Sequence, residues 1–290
     1  MNLINNKYCF ISILTPFGIA SNNRGEGDGT NTSTLQKISS RNNSFIQEFT
    51  TISSEAIRWA YREYLGNVYP EQVNRIYDAM VDEYQIKDEG YDETKYIDDD
   101  IFGYMDAKKD SKNKNATTKR RGVLEVARAI SLTPYDGDKI FNAKAGEMKT
   151  STSLYNVEVH ATQYQYTVAF KMGDFIVPER AKYLLDAIVN VRHVGGNHSR
   201  FLFDFAPASI VARITTSPSP QIIYCFDADG VPRKLEPLIT CGDINPDEII
   251  VAGEAALGDF AETLEKMEVT LCYGIKECID VIKYALFKQS

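Results

Sequence analysis

A chain of 290 residues with 43% hydrophobic and 25% charged side chains can bury a sizeable core, which excludes an intrinsically disordered protein. Its formal net charge of -8 is the wrong sign for a generic nucleic-acid binder, but the charge is segregated. Ten acidic residues lie between Asp78 and Asp100, and seven basic residues lie between Lys108 and Arg121. Because a groove for phosphates needs only local positive charge, the total does not exclude nucleic-acid binding.

The five cysteines are scattered and contain no CxxC pair, which argues against a disulfide framework or a zinc site. We interpret the apolar stretch 8–20 as a buried strand, because Pro16 and Gly18 interrupt it and it is too short to span a bilayer. We therefore expect a soluble, cytoplasmic protein that binds no cofactor, no metal and no membrane.

The first half of the chain alternates regular and polar segments. Residues 8–14 predict a strand, and the polar stretch 21–44 predicts a long loop. Ser53 and Ser54 offer N-caps to a helix, and apolar residues at helical spacing predict a second helix over 70–84. After a polar stretch over 85–119, a shorter helix is predicted over 123–130.

The second half has a clearer pattern. Residues 155–160 and 164–170 predict strands, a helix is expected from Pro178 to Gly195, and alternating phenylalanines predict a strand over 201–205. A hairpin is expected within 206–227, followed by helices over 257–267 and 274–288 that flank a strand over 269–273. The order strand, helix, insertion, strand, strand, helix, strand predicts an α+β, ferredoxin-like fold, the scaffold of RNA-recognition modules.

Two polar segments are candidates for ligand contacts. The loop around Asn22, Asn23 and Arg24 is either a flexible connection or a mobile segment that contacts a partner or RNA. The turn 195–200 carries His198 and Arg200 beside two glycines that would let backbone N–H groups approach a phosphate. An ordinary helix-to-strand turn is an equally good interpretation of that segment.

Charged runs give the other candidates. Asp98, Asp99 and Asp100 could bind a divalent metal, but adjacent carboxylates on an extended segment diverge. We therefore favour an acidic turn that is either solvated or faces a basic partner. The run Lys119-Arg120-Arg121 borders a lysine-rich insertion and is a good place for a strip that follows single-stranded nucleic acid. No histidine has a serine or cysteine partner in a recognisable triad, so no catalytic residue is predicted.

Five segments together resemble the backbone subunit of type I CRISPR surveillance complexes (Cascade), in its DevR-like, type I-B branch. They are 53–58 (SSEAIR), 98–105 (DDDIFGYM), 120–131 (RRGVLEVARAIS), 160–166 (HATQYQY) and 195–200 (GGNHSR). The set spans most of the chain in a consistent order. Each segment alone is weak, but the set is specific.

The resemblance implies a hand-shaped subunit with a ferredoxin-like palm, inserted fingers and a β-hairpin thumb. The corresponding boundaries are 1–65 and 156–204 for the palm, 66–155 for the fingers, 205–227 for the thumb and 228–290 for a segment that completes the palm. Arg58, Gln163 and the residues after Lys119 would contact RNA, and Met105 would be a wedge beside a displaced base.

The implied function is non-catalytic: copies of the chain polymerise along a guide RNA, which pairs with a target DNA strand. The implied partners are therefore guide RNA, target DNA through the guide, neighbouring copies and other Cascade subunits. Two alternatives stay open. One is a metal-dependent RNA-cleaving subunit that uses Asp98, Asp99 or Asp100, and the other is a stand-alone transcriptional regulator.

Overall fold

The computed structural model describes residues 3–22, 24–25, 31–42, 45–78, 80–106, 118–145, 152–191, 193–196 and 202–288. Within these ranges the chain forms a mixed α/β structure around one large sheet. The helices are α1 (Ser54–Val68), α2 (Ile97–Phe102), α3 (Arg180–Val189), α4 (Leu235–Thr240), α5 (Glu254–Leu257), α6 (Ala261–Lys266) and α7 (Ile275–Phe287).

The strands are short and many. They are β1 (Tyr8–Leu14), β2 (Gly18–Ala20), β3 (Thr32–Ser33), β4 (Lys37–Asn42), β5 (Phe45–Ile52), β6 (Arg75–Asp78), β7 (Glu83–Ile86), β8 (Gly103–Asp106), β9 (Thr118–Arg121), β10 (Glu125–Val126), β11 (Ala129–Ser131), β12 (Lys139–Ala145), β13 (Thr152–Glu158), β14 (His160–Thr162), β15 (Tyr164–Lys171), β16 (Ser209–Thr215), β17 (Ile249–Gly253) and β18 (Thr270–Cys272).

The large sheet has the order β18-β17-β16-β1-β15-β11-β5-β4, with β10 also paired to β15. The β17–β18 pair is parallel, and β1 is antiparallel to both β15 and β16. Because successive side chains of a strand point to opposite faces, β1 contributes to two cores. Cys9, Ile11 and Ile13 pack with α1, α3 and α7, whereas Phe10 and Leu14 pack with residues of the segment 222–269.

Several predicted elements are confirmed. They are β1, β15, α3, α7 and the helix α1, where the Ser53 hydroxyl accepts a hydrogen bond from the Ala56 amide at 3.2 Å. These segments share a regular spacing of apolar residues that the local sequence alone specifies. None of the described helices combines the length and the apolarity needed to cross a membrane.

Three predictions in the first half are wrong. The stretch 21–44, predicted as a loop, contains β3 and β4, and β4 pairs with β5 in a hairpin. The helix predicted over 70–84 is a single 3-10 turn followed by the hairpin β6–β7, because the buried Asp98 carboxylate accepts the amides of Asn74 and Arg75. The helix predicted over 123–130 is instead β10 and β11, which pair with β15.

Two predictions in the second half are also wrong. Residues 202–205 form no strand, although Phe203 and Phe205 are buried as core residues. The hairpin predicted within 206–227 is absent, because β16 is an inner strand between β1 and β17. Residues 221–226 form no strand but lie against the sheet, where the Ser12 hydroxyl donates to the carbonyl of Ile222 at 2.7 Å.

This packing predicts the effect of a mutation in the segment that was expected to be a thumb. Ile222→Ala should lower the free energy of unfolding by about 2–5 kcal/mol, because Ile222 is fully buried against the sheet. Ile223→Ala, one residue further along and partly exposed, is the matched control and should cost clearly less. Denaturant unfolding of both variants measures the difference, and equal small losses would indicate a projecting hairpin instead.

Candidate nucleic-acid interface

The hairpin β8–β9 presents two different faces. Met105 pairs with Lys119 across the ladder, and Gly103 pairs with Arg121. Met105 is 68% exposed, and Lys119 and Arg121 are also exposed, so an unbranched thioether and two cations share the outward face. Tyr104 and Arg120 alternate with them and point the other way, towards the body of the protein. The basic strip predicted over 119–121 therefore does not form one surface, because Lys119 and Arg121 face outward and Arg120 faces inward.

The inward face is held by a buried carboxylate. Asp100 Oδ1 accepts a hydrogen bond from Arg120 at 2.5 Å and from the Ile176 amide at 3.1 Å. Its Oδ2 accepts from Arg180 at 2.9 Å and from the Val177 amide at 3.2 Å. All the acceptor positions of this carboxylate are thus occupied by groups from three separate parts of the chain, and they join β9 to the start of α3.

The other two aspartates of the triplet are also buried and hydrogen-bonded. Asp98 accepts the backbone amides of Asn74 and Arg75, at 2.7 and 3.1 Å. Asp99 accepts the Asn74 side-chain amide at 2.9 Å and the Asp92 amide at 3.2 Å, and burial raises its pKa above the usual value. The expectation of a solvated turn is wrong, because the triplet lies on the buried helix α2. The alternative of a basic partner is confirmed for Asp100, which pairs with Arg120 and Arg180.

These contacts also bear on the metal interpretation of the triplet. Each of the three carboxylates is committed to amides or arginines that the fold holds in place. Among the residues that the structure describes, no group of His, Cys, Asp and Glu side chains is arranged to hold a metal ion. The arrangement has the chemistry of a structural hub that fixes backbone and guanidinium groups.

The base of the hairpin is fixed to α1 through Arg58. Its guanidinium donates to the carbonyls of Leu124 and Phe102, the latter at 2.9 Å, and burial lowers its pKa. The Phe102 ring is buried between Arg58 and Arg62, whose guanidinium carbon lies 4.6 Å from the ring centroid. Arg58, predicted to contact RNA, therefore has carbonyl partners within the protein.

Two glycines allow the strands to approach this closely. A Cβ on Gly103, whose φ is +68°, would lie 2.3 Å from the Arg120 carbonyl oxygen, and a Cβ on Gly122 would lie 2.5 Å from the Phe102 carbonyl oxygen. Neither position accepts a larger residue without movement of the backbone. Sequence reasoning selected the segments 98–105 and 120–131, which contain these glycines, but did not recognise either glycine as a constraint on the backbone.

A polar groove runs along this part of the surface. It has a volume of about 490 Å³ and is lined by Glu93, Tyr104, Lys119, Arg120, Arg121, Gly122, Val123 and Asp174. Tyr104 stacks on Tyr91 with ring centroids 4.5 Å apart, and its hydroxyl donates to Glu93 at 3.0 Å. Two exposed basic residues, Lys119 and Arg121, contribute to the lining of this open groove, whereas Arg120 is paired with Asp100. Because aromatic rings lie beside these cations, the groove suits a phosphate chain better than a neutral small molecule.

The remaining predicted contact residues lie elsewhere. Asn22 is buried and donates to the Val194 carbonyl at 2.7 Å, and Gln163 donates to the Thr15 carbonyl at 2.9 Å, so both stabilise the fold. Arg24 is exposed and donates to the Ser33 hydroxyl at 2.8 Å. Asn23, His198, Arg200 and residues 107–117, which include the first part of the predicted basic strip, lie outside the described residues.

The Asp100 contacts predict a large loss of stability on truncation. Asp100→Ala should lower the free energy of unfolding by about 3–5 kcal/mol, because it leaves the buried Arg180 without its partner. Asp186→Ala removes the partly exposed pair with Lys283 and should cost less than about 1 kcal/mol. Thermal and denaturant unfolding of both variants checks this, and equal losses would contradict the role of Asp100 as a hub.

The chain is similar to known CRISPR-associated proteins. A family model described as "CRISPR-associated negative auto-regulator DevR/Csa2" matches residues 14–175. The "CRISPR-associated protein Cas7/Cst2/DevR" of Myxococcus xanthus (strain DK1622) is 39% identical over 279 residues, which cover 89% of this chain and 90% of that protein. Neither description names an enzymatic activity.

Solved structures share the fold. A chain of a "CRISPR RNA-guided surveillance complex, pre-nicking" superimposes with a TM-score of 0.64 and 11% identity, covering 97% of this chain and 100% of that chain. A chain of a second "CRISPR RNA-guided surveillance complex" gives a TM-score of 0.58 and 13% identity with the same coverage. At these identities the likeness establishes the fold alone.

Proposed function

Because the chain belongs to the DevR/Csa2 family of CRISPR-associated proteins, we propose that it is a non-catalytic, RNA-binding backbone subunit of a Cascade-type complex. The observation that carries the proposal is the outward face of β8–β9. There Met105, Lys119 and Arg121 are exposed, while the opposite face of the same hairpin is fixed by buried ion pairs. A rigid basic strip that carries no base-reading group suits a protein that must accept any guide sequence.

The proposed partners follow from this role. The solved relatives in fold are RNA-guided by their names, and we propose the same here. Guide RNA would lie along the strip, target DNA would pair with the guide, and neighbouring copies and other Cascade subunits would assemble on the same RNA. Assembly along a strand requires a head-to-tail contact between copies, since a closed two-fold contact would end the array.

The proposed palm is the four-stranded unit β16-β1-β15-β11 with α1 and α3 on one face. Its strand order and its two helical crossovers support a ferredoxin-like palm. The fingers, expected over 66–155, would then be the parts of that range that lie outside the palm strand β11. RNA-recognition modules bind bases on the open face of such a sheet. Here that face is covered by the segment 222–269, which supports an RNA path along the β8–β9 hairpin instead.

Each outward residue would then have a distinct role. Lys119 and Arg121 would contact phosphates, while Met105 would lie against a base face and accept every base, because a thioether is unbranched and polarizable. Arg120, with its guanidinium paired to Asp100, would position the hairpin instead of contacting the RNA. Purification with endogenous RNA tests the whole proposal: we expect an RNA of uniform length and a filament of copies.

The family description also contains the words "negative auto-regulator", which makes a DNA-binding regulator the second candidate. Specific binding of duplex DNA without RNA would favour that candidate. Cleavage of RNA with magnesium, lost when Asp98, Asp99 and Asp100 are replaced, would contradict a non-catalytic role.

The salt dependence of RNA binding distinguishes the proposed contacts of Lys119 and Arg121 from the effect of other surface charges. The double variant Lys119→Ala, Arg121→Ala should reduce the slope of log K against log salt by about 1.4, since each phosphate contact on a single strand contributes about 0.7. The control Lys266→Ala, Lys276→Ala removes two exposed lysines on α6 and α7, outside the hairpin, and should leave the slope unchanged. An unchanged slope in the first variant would remove this strip from the RNA site.

Mutation of Met105 tests whether this side chain is a wedge against a base or part of the protein core. Met105→Ala should leave the melting temperature of the free protein nearly unchanged, because the side chain is 68% exposed, yet should weaken guide–target pairing in the assembled complex. Met172→Ala, at a fully buried methionine, should instead cost about 2–5 kcal/mol of folding stability. Normal target binding by the Met105 variant would contradict the wedge role.

A further inference from the structure

A second site of mixed aromatic and basic character lies between α1 and the hairpin β6–β7. It is a concave pocket of about 390 Å³. Three aromatic side chains contribute to its wall: Trp59 lies edge-to-face with Tyr84 at 6.3 Å, and Tyr77 lies 5.4 Å from Tyr84. More than a third of the surface of each of these three residues is exposed to solvent, so the rings are available to a ligand.

The basic part of the pocket is formed by Arg62 and Arg75. The Nε atom of Arg62 is buried and has no hydrogen-bond partner among the residues that the structure describes. Burial first, and then the neighbouring charge of Arg75, lowers the pKa of Arg62 to about 10, while the carboxylates of Asp98 and Asp99 act in the opposite direction. A cation that is both desolvated and beside like charges is stabilised by an incoming anion.

We propose that this pocket binds one nucleotide of a single strand, with its base stacked on Trp59 and the tyrosines and its phosphate beside Arg62 and Arg75. This inference rests on the proposed function and adds a base-contacting site to its backbone strip. The pocket and the strip are neighbours, because the Phe102 ring lies between Arg62, which lines the pocket, and Arg58, which fixes the hairpin.

Nucleic acid fits the pocket better than a protein segment does. Tryptophan, tyrosine and arginine are also enriched in protein interfaces, so composition alone does not decide. A protein segment would need two suitably spaced side chains, one ring and one anion, to make these contacts, whereas every nucleotide of a single strand carries both groups. Stacking on aromatic rings is also indifferent to base identity, which suits a strand of any sequence.

Trp59 is the single tryptophan of the chain, so its fluorescence reports on this pocket directly. The experiment titrates the full-length protein with an end-labelled single-stranded RNA, recording label anisotropy and tryptophan emission together. The comparison ligand is an RNA of the same length and charge with abasic positions. We expect the ordinary RNA to quench Trp59 with the same midpoint as the anisotropy, and the abasic RNA to bind more weakly without quenching.

A variant that fills the pocket tests the same point without removing any ligand contact. Gly66 lies on α1 in the pocket wall, and a Cβ at this position would meet no heavy atom within 4 Å. Gly66→Leu should therefore fold normally and yet weaken binding of ordinary RNA about tenfold, the order that one base–aromatic stack contributes. It should leave abasic RNA binding unchanged, and Tyr284→Ala, an exposed aromatic on α7, should alter neither.

The outcomes separate this inference from the proposed function. Ordinary RNA that binds by anisotropy while Trp59 emission stays constant would overturn the pocket and leave the backbone strip intact. A Gly66→Leu variant that binds RNA normally but no longer associates with other copies would assign the pocket to a protein partner and overturn the inference. Absence of RNA binding by the unmodified chain would overturn both.

Discussion

The candidate interface depends on one buried carboxylate, that of Asp100. It accepts hydrogen bonds from two arginines and two backbone amides, and these donors belong to β9, to α3 and to the turn that precedes α3. A buried ion pair of this kind contributes little net stability compared with an apolar contact of the same shape, but it fixes orientation strongly. Its effect here is to determine which face of the β8–β9 hairpin points to solvent.

Regular local patterns explain why a large part of the fold was predictable. α1 could be located because Ser53 caps it and Ile57, Ala60, Tyr61 and Leu65 repeat at helical spacing on its buried side. β1 and β15 could be located because they are rich in residues that favour strands. In each case the information lies within the segment itself, so no tertiary contact is needed to recognise it.

The failures share a different physical cause. The apolar residues of 73–84 have helical spacing, but Asp98, more than twenty residues away, accepts two of the backbone amides that a helix would need. Likewise the Ala127 amide, which a helix over 123–130 would pair with the Val123 carbonyl, donates instead to the Thr167 carbonyl of β15 at 2.8 Å. The sequence also could not show which side chains of 119–121 face inward and which face outward. Their orientation depends on Asp100 and Arg180, which no local pattern connects to this segment.

The exposed and the buried charges of the β8–β9 hairpin respond differently to ionic strength. Ions screen exposed charges over about a Debye length but reach buried pairs poorly. Lys119 and Arg121 are open to solvent, whereas Asp100 and Arg180 are not. Raising the ionic strength would therefore weaken the proposed contacts with a nucleic-acid strand before it loosened the hairpin. A subunit of the proposed kind would then release its strand and be reloaded without refolding.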